Sequence, residues 1–228
     1  MQPYKLLVAC HLMIGLVLPS VFGCMCQPSH PQKMFCNADL VIVGTVQAKQ
    51  LLPGPPHPAI LPGQPTTITY QIQVDGVKKG EEYEGQLWNT QDGELMVNTS
   101  ASNASCGVPW LEVGKQYVLT VMVTDGEGSL HNCHFHQVYS RLTNMQQRGI
   151  NGAYSRGCAQ HCQIDTCLTH GNCPRTPPDN TTCVHGNSQS HMDCYYHHAQ
   201  CRLKSSGKCK WKTDFAFGMC LRDRNQIV

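Results

Sequence analysis

Thr66-Thr67-Ile68-Thr69-Tyr70-Gln71-Ile72-Gln73-Val74 alternates polar and apolar residues almost without a break. Successive side chains of an extended strand point to opposite faces, so Ile68, Tyr70, Ile72 and Val74 share one face and Thr67, Thr69, Gln71 and Gln73 the other. That is the pattern of a half-exposed antiparallel strand. Four other runs are similarly rich in β-branched and aromatic residues: Leu40 to Val46, Gly85 to Thr90, Leu95 to Val97 and Gln116 to Val123. Asp75-Gly76, Asp92-Gly93 and Asp125-Gly126 have the chemistry of tight turns. Five or six short strands predict a mainly β fold. A small closed barrel, which leaves no open sheet edge, is favoured over a sandwich.

Two helices flank this β region. Ser29 with Gln32 three residues later is a capping-box pattern, and Pro31 suits a first turn, so a short helix starts there and stops by Asn37. Thr143 with Gln146 repeats the pattern and predicts a helix over 144–156, weakened by Gly149 and Gly152 and ending at Gly157-Cys158. The segment from Leu51 to Pro65 holds six prolines. Because proline cannot donate to a ladder, this segment is expected to project as a loop, either a plain connector or a stiff contact arm.

The chain has 228 residues, 17 basic and 15 acidic, a balance that gives no footprint for nucleic acid. Residues 1–23 read as a secretory leader: Lys5, an apolar run from Leu6 to Leu18, then Pro19, Ser20 and the small Gly23. The run is too short to span a bilayer, so the expected product is secreted to the extracellular space or matrix, with Cys24 first. Cleavage there discards Cys10 and leaves 14 of the 15 cysteines, an even set entering an oxidising compartment. Three N-glycosylation sequons, at Asn98, Asn103 and Asn180, agree with that route. Composition shifts near Cys158: residues 24–158 hold six cysteines among long β runs, and residues 159–228 hold eight in 70 residues. Two domains are therefore expected, the second stapled by crosslinks more than by burial.

Cys24-Met25-Cys26 at the expected new terminus is the candidate site. Terminal residues are normally mobile, but two bridges would pin this end and fix its α-amino group in space. Such an amine, with a pKa near 7.7–8.0, can form a five-membered chelate on a metal together with its own carbonyl oxygen. The plainer reading is two staples on a fraying end. Twelve histidines, among them His131, His134 and His136, lack the spacing of a closed zinc site, and oxidised cysteines cannot ligate. No HExxH, GxSxG, phosphate-loop or dinucleotide motif is present, and a cysteine nucleophile needs a free thiol, so no enzyme and no resident cofactor are expected.

Cys24-Met25-Cys26-Gln27-Pro28-Ser29-His30-Pro31-Gln32, followed by Phe35-Cys36-Asn37-Ala38-Asp39-Leu40-Val41-Ile42, resembles the N-terminal signature of the tissue inhibitors of metalloproteinases. Cys106-Gly107-Val108, Gly114-Lys115-Gln116-Tyr117, and the tract from Leu142 to Tyr154 closing at Gly157-Cys158 resemble later landmarks. The second half is similar mainly in cysteine order.

This resemblance implies a five-stranded OB-type closed barrel with short helices, netrin-like, over 24–158 and a small disulfide-rich domain over 159–228. It implies bridges Cys24–Cys106, Cys26–Cys133, Cys36–Cys158, Cys162–Cys209, Cys167–Cys173 and Cys183–Cys201, with Cys194–Cys220 as the remainder. It further implies that Cys24 chelates the zinc of a target protease and Met25 enters its specificity pocket. Cys26, Gln27 and Pro28 would then follow the substrate groove, and Ser105, Cys106, Gly107 and Val108 would form a second contact arm. The implied partners are matrix metalloproteinases or related metzincins, plus proenzyme or matrix components through the second domain, with the chain a monomer. Met25 departs from the threonine or serine usual at that position and favours a deep apolar pocket. A second reading is a non-inhibitory netrin-like binding module, since fold does not fix function; a third is a structural matrix protein.

Overall fold

The computed structural model describes residues 23–53, 65–89, 91–166, 179–185 and 189–225. The leader up to 22, the proline-rich 54–64, and Cys167 and Cys173 lie outside them. Among the described residues no helix is long and apolar enough to cross a membrane.

The fold is mainly β with short helices. Helix α1 (Pro31–Asn37) leads into β1 (Leu40–Pro53), β2 (Pro65–Lys79), β3 (Glu94–Ser100), β4 (Gln116–Thr124), β5 (Glu127–Ser129) and β6 (His136–Val138). These six strands form one sheet in the order β1-β2-β3-β5-β4-β6, and β1 also pairs with β4, so the pairings run in a ring. All pairings are antiparallel except β3 with β5. Asp125 and Gly126, both at positive φ, form the predicted turn between β4 and β5.

Burial follows the predicted alternation except at Thr69, which is buried on the other face. Ile68, Tyr70 and Ile72 are buried inside the ring with Leu40, Ile42, Leu95, Val97, Leu119 and Val121. The opposite face of β1 and β4 is also covered, because Val41 and Val118 pack with Phe35, Phe135, Leu142, Ile150 and Tyr154. That double burial explains why Leu40 to Val43 is a continuous apolar run rather than an alternating one. Each such large side chain, fully buried, contributes about 1.5–3 kcal/mol.

Several local expectations change. Of the expected strand from Gly85 to Thr90, the described residues Gly85 to Asn89 form none: Gly85 has φ 81°, its N–H bonds to the Trp88 carbonyl, and the chain turns to press Trp88 into the core. Asp75-Gly76 makes no turn, since β2 runs through it to Lys79 and the register slips opposite Val43 and Gly44. Leu51, Leu52 and Pro53 continue the β1–β2 ladder that the prolines were expected to end.

The helix N-cap of α1 is His30, whose Nδ1 accepts from the Gln32 N–H, and not Ser29. At Thr143 the capping box forms in full. The helix it starts, α2 (Asn144–Arg148), is broken at Gly149–Ala153, where Gly152 takes φ 114°, and resumes as α3 (Tyr154–Ala159). Gly149 is needed because a Cβ there would sit 2.3 Å from the Tyr154 ring.

The remaining chain holds β7 (Gln163–Thr166), β8 (Thr182–His185), α4 (Gln189–His198), β9 (Ala199–Leu203), β10 (Cys209–Thr213) and α5 (Phe215–Asn225). A small cluster of bridged Cys162, Cys183, Cys201 and Cys209 with Ile164 is its core. Buried polar groups tie it to the first half. Gln32 Nε2 donates to the Cys201 carbonyl at 2.8 Å while Gln32 Oε1 accepts the Cys201 N–H at 2.9 Å. Gln200 Nε2 likewise donates to the Met145 carbonyl at 2.9 Å.

Candidate functional site: the bridged N-terminal ridge

Two disulfides hold the leading residues against the sheet. Cys24 is bonded to Cys106 and Cys26 to Cys133, each with Cα atoms 5.0 Å apart. Between them Met25 is 90% exposed, and Gln27 and Pro28 are exposed after them. The chain therefore meets solvent along one edge while its sulfurs anchor it from below. The other described bridges are Cys36–Cys158, Cys162–Cys209, Cys183–Cys201 and Cys194–Cys220.

The second arm is set by the β core. Val108 is fully buried, its N–H donating to Thr99 Oγ1 at 2.9 Å and its carbonyl accepting from Tyr70 Oη at 2.8 Å. Thr99 in turn donates to the Leu130 carbonyl. Gly107 is pressed so close that a Cβ would lie 1.9 Å from the Ser100 carbonyl oxygen. Cys106 then adopts φ 57°, and a 3-10 turn over Asn103–Ser105, capped by Ser102, lifts the preceding residues outward. Of the expected arm, Ser105 is exposed and Cys106 half-buried, whereas Gly107 and Val108 lie beneath them as support. Ser102, Asn103 and Ala104 are exposed as well; of these only Asn103, through its sequon, was singled out from the sequence, and the extent of the exposed strip follows from the clamps that Tyr70 and Thr99 place on Val108.

Both arms meet on the loop His131–His136. Cys133 carries the bridge to Cys26, and the Asn132 N–H donates to the Cys106 carbonyl at 2.8 Å. His131, His134 and His136 pack there in a row, the first pair tilted and the second edge to face, with ring centroids 5.3 and 6.2 Å apart. His136 Nε2 is 2.9 Å from the His131 carbonyl, so Nε2 carries the proton and donates. Its Nδ1 is shielded and has no partner among the described residues, and the same holds for His134 Nδ1. Burial pushes His136 down to about 4, and burial with the neighbouring His131 lowers His134. Both are neutral near pH 7 and serve as packing.

The sulfurs of Cys24, Cys106 and Cys133 all lie within 4.8 Å of one another. They belong to two disulfides, have no thiolate to offer, and form no metal centre of their own. Behind the ridge, Gln27, Pro28, Met34, Met122 and His134 line a cleft of about 400 Å³. Of the sequons, Asn98 is half-buried on β3 and accepts from Thr69 Oγ1 at 2.7 Å, while Asn103 and Asn180 are exposed.

A family model described as "Tissue inhibitor of metalloproteinase" matches residues 23–211. Metalloproteinase inhibitor 3 of Xenopus laevis is 34% identical over 71% of this chain and 68% of its own length. Metalloproteinase inhibitor 3 of Scyliorhinus torazame is 33% identical over 83% and 80%, and metalloproteinase inhibitor 2 of Bos taurus is 31% identical over 90% and 88%. These proteins are named as inhibitors and not as enzymes. With the family model spanning both halves and the bridged ridge in place, the chain belongs to the tissue inhibitor of metalloproteinase family.

Proposed function

We propose that the chain is a secreted inhibitor of zinc metalloproteinases that acts through Cys24 once residues 1–23 are removed. The α-amino nitrogen and carbonyl oxygen of Cys24 then chelate the target's catalytic zinc. A catalytic zinc keeps one position open for water, and a chelate there displaces the nucleophile that hydrolysis requires. Met25 fills the adjoining specificity pocket, its flexible thioether suiting a deep apolar one. Cys26, Gln27 and Pro28 lie along the substrate groove. The arm ending at Ser105 and Cys106 meets the other wall, with Gly107 and Val108 holding it up. No peptide bond is offered in the productive direction, since the chain begins at the metal.

On this reading residues 24–158 form a netrin-like inhibitory domain whose strand ring closes as a five-stranded OB-type barrel, and residues 159–228 form a disulfide-rich domain. The barrel supplies stiffness and the second domain a further docking surface for proenzyme or matrix components. The chain needs no cofactor, acts as a monomer, and takes matrix metalloproteinases or related metzincins as partners. The names of its relatives, metalloproteinase inhibitors 2 and 3, support that target class.

The observation that carries the proposal is the pair of bridges that pin the terminus on both sides of a 90% exposed Met25. A ligand held this way loses little conformational entropy on binding. The test is a matched pair of proteins, one starting at Cys24 and one with a single alanine before it, titrated against a panel of matrix metalloproteinases. The added residue turns the amine into a poorly ligating amide, so inhibition is nearly abolished; equal potency of the two would refute the chelate.

A further inference from the structure

We propose that Asn103 is a glycosylation site whose oligosaccharide governs which metalloproteinases can seat on the ridge, an inference that rests on the inhibitory reading above. Asn103-Ala104-Ser105 is a complete acceptor sequence. It occupies the exposed 3-10 turn directly before Cys106. The turn is fixed by backbone and cap: the Asn103 carbonyl accepts the Cys106 N–H at 3.0 Å, and Ser102 Oγ accepts the Ala104 N–H at 3.2 Å. The Asn103 carboxamide itself makes no hydrogen bond to any described residue, and so it is free to carry a substituent without cost to the fold.

Its position gives the substituent an effect. A turn closed by a bond from residue i to i+3 keeps those Cα atoms within about 7 Å, and Cys106 is 5.0 Å from Cys24, Cα to Cα. Asn103 therefore stands within about 12 Å of Cys24, on the same exposed strip as Ser105. Because Gly107 and Val108 are buried, this strip is the part of the second arm that a target must meet. The other sequons differ. Asn98, on β3, is already engaged by Thr69 of β2, and Asn180 stands by the Cys162–Cys209 bridge, where its carbonyl accepts the Cys209 N–H.

The modification is a group transfer in the secretory lumen. A lipid-linked oligosaccharide diphosphate supplies the sugar; Asn103 Nδ2 bonds to its anomeric carbon, the carbon–oxygen bond to diphosphate breaks, an amide proton goes to base, and the lipid diphosphate departs. The attached sugar is bulky and hydrated. Metalloproteinases with a high wall beside the active-site cleft cannot close over it, whereas those with an open rim can.

The experiment uses full-length chain secreted from a glycosylating host in three forms: intact, trimmed by an endoglycosidase to one sugar, and Asn103→Gln. Glycopeptide mass reads occupancy at Asn103, and inhibition constants are measured against several matrix metalloproteinase catalytic domains. Occupied Asn103 is expected. For at least one enzyme, affinity should rise from intact to trimmed to Asn103→Gln by about tenfold or more overall, a graded response that a simple side-chain contact does not give. Asn180→Gln should match the intact protein. An unmodified Asn103, or equal constants for the three forms on every enzyme, overturns the proposal. If Asn103 is occupied but no form inhibits anything, including Asn103→Gln, the inhibitory reading itself fails and the gate with it.

Discussion

Cys24 Sγ lies 3.8 Å from Cys133 Sγ, although neither is bonded to the other. Two disulfides from opposite sides of the ridge thus pack side by side, and each limits the movement of the other. Replacing both Cys26 and Cys133 by serine leaves the Cys24–Cys106 bond but removes a link closing 107 residues. The expected cost is about 2–5 kcal/mol of stability. Inhibition should fall with it even though Cys24 is retained. The control is Cys194→Ser with Cys220→Ser, which opens a separation of 26 residues, should cost about 1 kcal/mol less on chain-entropy grounds, and should leave inhibition unchanged. Denaturant titrations and inhibition assays on both variants distinguish the roles; equal inhibition by both would show that the ridge needs one bridge only.

The histidine loop makes stability depend on pH. His136 titrates near 4 in the folded chain against about 6.5 when unfolded, because burial disfavours its charged form. The unfolded chain therefore binds more protons between these values, and the stability present above pH 6.5 is lost as pH falls toward 4. His136 is half-buried, which argues for a loss of order 2–3 kcal/mol. Of the groups facing the row, the His131 carbonyl favours the charge on His136 through its hydrogen bond while the His134 and His131 rings oppose it, and at His134 the charge is opposed by His131 and favoured by Asp39. Urea midpoints measured from pH 7.5 to 4.5 should drop for the native chain and drop less for His136→Gln. Parallel curves would assign the acid sensitivity to other groups.

Legibility in the sequence followed the range of the interaction involved. The alternation in Thr66 to Val74, the Thr143 and Gln146 capping box and the Asp125-Gly126 turn depend on near neighbours, and each formed as expected. The helix start at Ser29 did not, because Gln32 is taken by Cys201, 169 residues away. Gly85 to Thr90 has strand composition, yet Trp88 is drawn into the core and a positive φ at Gly85 bends the chain first. Helices α4 and α5 were invisible because crosslinks such as Cys194–Cys220, and not an apolar stripe, hold them in place. At the candidate site, the Cys24-Met25-Cys26 run stands out in the sequence, and both cysteines are bridged as the family resemblance implied. The burial of Gly107 and Val108 under the second arm depends on Tyr70 and Ser100 and could not be read from local pattern.

Gly107 tests whether the second arm needs its shape. A methyl group there would fall 1.9 Å from the Ser100 carbonyl oxygen and 2.9 Å from that of Ser102, both backbone atoms that cannot swing aside. Gly107→Ala should therefore displace the arm and cost about 1–3 kcal/mol, as overpacking does. Because the arm is bonded to Cys24 through Cys106, inhibition should weaken as well. Gly85→Ala is the comparison: no atom lies within 4 Å of its Cβ position, so only the strain of φ 81° acts, and inhibition should be kept. A thermal melt and an inhibition constant for each variant settle the matter; unchanged inhibition by a folded Gly107→Ala would count against the second arm as a contact.

Gln32 is one of the points at which the two halves of the chain depend on each other. It is fully buried, and its carboxamide satisfies both the N–H and the carbonyl of Cys201. Gln32→Leu keeps the volume but leaves those two backbone groups without partners, at about 1–3 kcal/mol for each. Gly157 adds to the constraint, since a Cβ there would lie 2.2 Å from Gln32 Nε2 and 3.0 Å from the Cys201 carbonyl oxygen. If the halves are held mainly by this contact, hydrogen exchange in Gln32→Leu should speed up in β9 and at Gln200 and Met145 before it changes in β2 or β4. Gln32→Glu separates packing from pairing, since a carboxylate can accept the Cys201 N–H but cannot donate to its carbonyl. It should be destabilised less than the leucine variant at low pH, where the protonated acid donates again, and more at neutral pH, where a buried charge faces a carbonyl oxygen. The same urea midpoint for both variants at every pH would mean that Gln32 contributes volume alone.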